Sequence, residues 1–288
     1  MLTKKQLLLK VHLADGFGPI SELRLAAWLV TSHNWALSAL EIAQIACLPE
    51  RYWLTFQTSF DSLALQQKCA THERYVQYLT ILEADYPQRL LETHCPPTVL
   101  FYRGDLSVLK QPCVAVVGAR QATEYTKQAL QHLLGLPQTT TIISGLAQGA
   151  DAMAHEVALQ KGLRPIGVIG TGLNCYYPPQ NEHLQQAVAE KGLLISEYGL
   201  DVTAKKHHFP DRNRIIAGLC HSLVVTEARQ KSGSLITANL ALQANRNVYA
   251  LPGQVNHSLS AGCNQLILAG ATPLLNQQLL LDELHYFD

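Results

Sequence analysis

The sequence predicts an α/β fold in which a parallel sheet with helical crossovers follows a short helical region. Three observations carry this. Six apolar runs recur at Cys113–Val117, Thr141–Ser144, Pro165–Ile169, Leu193–Ser196, Leu223–Thr226 and Val248–Leu251, their starts 28, 24, 28, 30 and 25 residues apart. A helix-length segment rich in Ala, Leu and Gln separates successive runs, as at Thr126–Leu134, Ala150–Gln160 and Leu235–Ala244. Continuous apolar strands, each spaced by one helix, mark a parallel sheet buried on both faces. Third, residues 1–80 lack strand alternation and carry helical spacing, as in Leu7, Leu8, Val11 and Leu23, Leu25, Ala26, Leu29.

Taken in order, residues 1–82 form a helical domain. Gly16-Phe17-Gly18-Pro19 makes a tight turn between its first two helices. That turn resembles a helix-hairpin-helix, whose amides can hold phosphate; a helix end followed by Pro explains it as well, and basic neighbours are few. Residues 83–110 read as a connector, with three Pro between 83 and 104. Residues 111–288 contain the sheet. The terminal segment Thr272–Asp288 has no Lys or Arg and carries Leu274, Leu275, Leu279, Leu280, Leu281, Leu284, Tyr286 and Phe287. It serves either as a dimer seam, through Leu275, Leu279, Leu280 and Leu284, or as a helix docked on its own sheet.

Composition limits the functions available. The chain has 288 residues, 48% hydrophobic and 15% charged, enough for a sizeable core and too few charges for a disordered chain or coiled coil. Lys+Arg and Asp+Glu both number 22, so an anionic partner must be gripped by a local patch. The seven Cys are scattered with no CxxC pair, which excludes a zinc ribbon and fits a reducing compartment. Lys10 and His12 interrupt the apolar N-terminus, and no apolar stretch approaches the roughly 20 residues that span a bilayer. The expectation is a cytoplasmic protein with no membrane partner, no metal and no cofactor.

Parallel sheets bind ligands beyond their C-terminal strand ends. Gly118-Ala119-Arg120 follows the first run and places a bidentate anion donor there. Ser144-Gly145 opens a glycine loop running to Asp151, and Gly170-Thr171-Gly172 ends the third run. The fourth leads to Lys205-Lys206-His207-His208-Phe209-Pro210-Asp211-Arg212-Asn213-Arg214, the densest positive cluster of the chain. Its Lys and Arg suit phosphates and Phe209 suits a base; a solvated loop with Phe209 tucked into the core is the rival. After the fifth run come Glu227 and Ser232-Gly233-Ser234, a phosphate-type helix start. Glu227 could orient Arg212 or Arg214, accept from a base or sugar, or act as a cap. Asp151 and His155 lie i,i+4 with no third ligand or nucleophile nearby, so no residue is assigned as catalytic.

These residues, in this order, resemble the DNA-processing protein A family (DprA, also called Smf). The matching stretches are VAVVGAR (114–120), SGLAQGADAMAH (144–155), GTGLNCYYPPQN (170–181), FPDRNRIIAGL (209–219), SGSLITA (232–238), LPG (251–253) and SAGCNQLILAGA (260–271), with DYPQRLLETHCPPTVLFYRG (85–104) as lead-in. The resemblance implies an extended Rossmann-like domain that binds single-stranded DNA, protects incoming DNA in natural transformation and helps load the RecA recombinase. It implies a homodimer, and makes residues 1–82 a sterile-alpha-motif-like domain. By position, Arg120, Lys206 and Phe209 correspond to the family's DNA pocket. Ser144, Gly145, Lys205, Arg212, Asn213, Arg214, Ser232, Gly233 and Ser234 then complete the rim.

The departures are Ala119 for the usual Ser, Thr126 for a common Gly, and Asn245 where Gly often precedes Arg246. Many relatives add a winged helix, which the short stretch after residue 271 is not expected to hold. A Rossmann-type phosphoribohydrolase is the alternative. Its glycine-rich loop and catalytic Glu are missing from the comparable stretch Lys231–Asn239, which reads KSGSLITAN, so the protein is expected not to be an enzyme.

Overall fold

The computed structural model describes residues 2–285. Five helices come first: α1 (Lys4–Leu13), α2 (Pro19–Thr31), α3 (Ala39–Ile45), α4 (Trp53–Phe60) and α5 (Leu63–Tyr75). Local chemistry sets their starts. Thr3 with Gln6 and Ser38 with Glu41 form reciprocal capping boxes, and Pro19 occupies the first turn of α2 where its missing N–H costs nothing. Gly16, at φ +80°, turns the chain between α1 and α2, and Phe17 packs its ring 4.6 Å from that of Phe56.

The remaining elements are β1 (Gln77–Thr80), α6 (Gln88–Leu91), β2 (Val99–Gly104), β3 (Cys113–Val117), α7 (Glu124–Leu133), β4 (Thr141–Ser144), α8 (Ala150–Gln160), β5 (Arg164–Ile169), α9 (Glu182–Lys191), β6 (Leu193–Ser196), α10 (His208–Leu219), β7 (Ser222–Val225), α11 (Gly233–Gln243), β8 (Asn247–Ala250), α12 (Ala261–Leu268), β9 (Thr272–Pro273) and α13 (Gln278–Leu284). They form one nine-stranded sheet ordered β1-β2-β6-β5-β4-β3-β7-β8-β9. All pairs from β6 to β9 are parallel; the apolar runs predict those up to β8, and β9 is a further strand inside the segment read as a terminal helix. The order reverses at β3, which lies between β4 and β7, so the switch point of the sheet falls at the end of β3.

Alternate residues of β3 divide the core. Ala115 and Val117 face one layer, with Ile215, Ile216 and Leu219 of α10 and Ala238 and Ala241 of α11. Val114 and Val116 face the opposite layer, with Leu130 and Leu133 of α7 and Ala154 and Val157 of α8. A fully buried Leu or Ile of this kind contributes roughly 1.5–3 kcal/mol. The N-terminal helices continue the second layer: Leu8, Leu9, Leu25 and Phe56 share one core with Phe101, Ile169 and Leu194. His12 and His72 flank Phe101, with ring centroids 5.8 and 5.2 Å away.

Three features differ from the sequence expectations. Two antiparallel strands were not anticipated: β1 lies inside the segment read as helical and β2 inside the connector, pairing β1 to β2 and β2 to β6. The three prolines that marked a connector sit between these strands, where the Tyr86 hydroxyl donates to the Pro97 carbonyl at 2.7 Å and closes the loop. Secondly, Lys205–Arg214 is largely helix, since α10 begins at His208. Thirdly, of the two roles left open for the terminal segment, α13 takes docking on its own sheet, against a seam at Leu280 and Leu284. Leu280 and Leu284 are buried beside Leu130 and Leu274, so neither is open to a second chain. Leu275 remains exposed at 66% and Leu279 is half-buried; Tyr286 and Phe287 lie outside the described residues.

Candidate functional site

A cleft of about 650 Å³ opens at the switch point, over the end of β3. Gly118, Ala119 and Arg120 come from the β3 end, Lys206, Phe209, Arg212 and Asn213 from the approach and first turns of α10, and Ser232–Ser234 from the entry to α11. A hollow of about 40 Å³ adjoins it, lined by Gly145, Gly170, Thr171 and Pro178, with Arg120, Tyr177, Phe209 and Arg212 common to both.

The loops are built for close approach. Gly149 has φ +76°, and a Cβ there would meet the Ala119 carbonyl at 2.4 Å, so the β4–α8 loop can lie against the β3–α7 loop only with glycine. Leu146 and Lys231 hold left-handed backbone on the same rims, at φ 55° and 59°. Arg120 and Lys206 are exposed and make no ion pair among the described residues. The Arg120 guanidinium lies 5.7 Å from the centroid of Phe209, whose ring is 5.2 Å from that of Tyr177.

Other residues expected at the rim have different work. Ser144 is buried and its hydroxyl donates to the Val116 carbonyl at 2.6 Å, joining β4 to β3. The Ser234 hydroxyl donates to the Gly118 carbonyl at 2.8 Å, so in the cleft it ties the α11 entry to β3. Arg212 lies under the floor. Its Nη1 donates to the carbonyls of Gly145 (2.5 Å) and Val168, clamping the ends of β4 and β5. Burial pushes the neighbouring Asp151 carboxyl above its usual range, while the charge of Arg212 opposes that shift.

Lys205 is exposed and Arg214 turns away from the cleft, pairing with Glu197 at 2.5 Å. The basic cluster is therefore split by α10: Phe209, Arg212, Asn213 and Ile216 share the cleft face. His207, Asp211 and Arg214 line a different cavity, of about 550 Å³, against the N-terminal helices. Spacing of three and four residues separates these faces once the segment is read as helix.

Glu227 resolves as a cap. Its carboxylate accepts from the Thr123 amide (2.7 Å), the Thr123 hydroxyl (2.9 Å) and the Thr126 hydroxyl (2.8 Å), at the start of α7. It orients neither Arg212 nor Arg214. His155 is wholly buried, and burial pushes its pKa down to about 4. Among the described residues no group of three or more His, Cys, Asp or Glu is placed to hold a metal. Tyr177, Ala147 and Ile236 line the cleft without having been singled out from the sequence. Only the tertiary fold brings Tyr177 to Phe209, 32 residues on.

Comparison with known proteins is consistent with this architecture. The DNA processing protein DprA of Streptococcus pneumoniae is 44% identical over 208 residues, covering 72% of this chain and 74% of that one. Protein Smf of Escherichia coli is 35% identical over 260 residues, covering 82% and 70%. The X-ray structure of the S. pneumoniae protein superposes with a TM-score of 0.90 at 35% identity, covering 98% of this chain and 99% of that one. A Helicobacter pylori DNA processing protein A, solved to describe its single-stranded DNA binding mode, gives a TM-score of 0.65 at 33% identity, covering 74% and 97%. The family model for DNA recombination-mediator protein A matches residues 77–285, from the first residue of β1 to the residue after α13. The chain belongs to the DNA recombination-mediator protein A family.

Proposed function

We propose that this chain is a non-enzymatic single-stranded DNA-binding protein that protects incoming DNA and helps load RecA in natural transformation and recombination. The observation that carries the reading is the pairing of two exposed cations without ion-pair partners among the described residues, Arg120 and Lys206, with an aromatic pair in one cleft. Cations displace counterions from phosphates and rings stack on any base, a combination that grips single strands regardless of sequence. The H. pylori relative binds single-stranded DNA.

The binding role is favoured over hydrolysis because Lys231–Asn239, which reaches over the cleft, carries no carboxylate. Pairing of two copies through Leu275 and Leu279 would present two clefts to one strand and raise avidity without new contacts. Among the described residues no helix is long and apolar enough to cross a membrane, and the proposed task lies in the cytoplasm.

Fluorescence anisotropy of labelled oligo-dT at several salt concentrations tests the reading. Arg120→Ala and Lys206→Ala should each weaken binding of every sequence and reduce the salt slope by about one. Unchanged affinity in both variants would remove the cleft as the DNA site. Competition by a nucleoside monophosphate alone would move the protein to the nucleotide hydrolases.

A further inference from the structure

We infer that Tyr177 supplies the ring on which a nucleobase lies, with Phe209 as its backing. The inference rests on the reading of the cleft as a single-strand site. Phe209 is half-buried, and its surroundings are already occupied. A Cβ on Gly170 would meet its Cδ1 at 3.2 Å, Arg120 stands over the ring, and Tyr177 lies against it at a 38° tilt. Little of Phe209 is left for a base unless Arg120 moves.

Tyr177 has the complementary properties. The residue is 42% exposed and lines both the cleft and the adjoining hollow. Its backbone segment is anchored. The Thr171 hydroxyl donates to the Cys175 carbonyl at 3.0 Å, and the Asn181 side-chain Nδ2 donates to the carbonyls of Leu146 (2.9 Å) and Ala147 (3.3 Å). A ring held this way loses little freedom when a base stacks on it, and purines and pyrimidines alike present a π-face. The ligand class is an unpaired nucleobase, with Arg120 and Lys206 available to the phosphates on either side.

The test compares wild type, Tyr177→Ala, Tyr177→Phe and Arg120→Ala on oligo-dT and on an abasic strand of equal length. Tyr177→Ala should weaken oligo-dT binding roughly tenfold with an unchanged salt slope, and change abasic binding by no more than about twofold. Tyr177→Phe should keep both affinities. Should Tyr177→Ala lose its fold by circular dichroism, Tyr177→Leu, which keeps an apolar contact with Phe209, is measured in its place.

Two results would overturn the inference alone: wild-type affinity for oligo-dT in Tyr177→Ala while Arg120→Ala is impaired, or equal losses on dT and abasic strands, the mark of a prop for the loop. Failure of the wild type to bind oligo-dT would overturn the single-strand reading and this inference with it.

Discussion

At the residue scale, the cleft depends on contacts that leave no room for change. A Cβ on Gly145 would stand 2.0 Å from Arg212 Nη1, the atom that clamps β4 to β5. Gly145→Ala must therefore displace a buried guanidinium, and should lower the free energy of unfolding by about 1–3 kcal/mol in urea titration. It should also weaken oligo-dT binding, since the floor moves with Arg212. Single residues were legible where their chemistry is local. Arg120, Lys206 and the Ser232–Ser234 turn line the cleft as the sequence implied. Ser144 was misread because a hydroxyl after a strand looks the same whether it meets a ligand or a neighbouring strand. Two departures from the family pattern prove compatible with the fold. Asn245 holds φ 56°, left-handed backbone that Asn adopts more readily than most non-glycine residues, and the Thr126 hydroxyl adds a donor to Glu227.

At the scale of elements, α10 joins two environments. One face lines the cleft; the other faces the N-terminal helices, where Arg214 pairs with Glu197 and His12 lies between the Glu22 carboxylate (2.9 Å) and the Glu197 carbonyl (2.8 Å). Glu197→Gln would leave a largely buried guanidinium without its counter-charge. It should cost about 3 kcal/mol of stability in urea titration and leave the salt slope of DNA binding unchanged, because Arg214 makes no part of the cleft. A reduced slope would show that the two faces are not separate. The parallel strands β3 to β8 were legible because each is a continuous apolar run, right to within a residue at every end, whereas the two-residue β9 carries no such run. β1 and β2 escaped because each is exposed at one end, and β2 directly follows the Pro96-Pro97 pair that reads as a connector. The charge run of α10 was legible as a cluster, but its partition needed the helical period that residues 205–214 do not display on their own.

For the molecule as a whole, buried histidines bound the pH range of stability on both sides. Burial disfavours charge on His12, yet the Glu22 carboxylate and the contacts with Glu197 outweigh it and push its pKa up to about 9. Its contribution is complete below the unfolded value near 6.5 and is lost as pH rises towards 9. His155 and His221 behave oppositely. Burial, aided at His221 by Arg89, pushes both down to about 4, so their contribution is complete above 6.5 and lost as pH falls towards 4. Thermal unfolding should peak near pH 6.5, and His12→Gln should flatten only the alkaline limb. An unaltered alkaline limb would dissociate His12 from that loss.

The margins of the sheet have a consequence for how copies of the chain can meet. On one margin β9 is two residues long and ends in Pro273, which has no N–H to offer. On the other, the outward Thr80 amide of β1 is already occupied by the Glu83 carboxylate at 2.7 Å. Neither border offers a long row of vacant amides and carbonyls, so the sheet is poorly suited to growing by strand addition into a continuous ribbon. Any contact between two copies would therefore rest on side-chain surfaces such as that around the exposed Leu275 rather than on strand pairing.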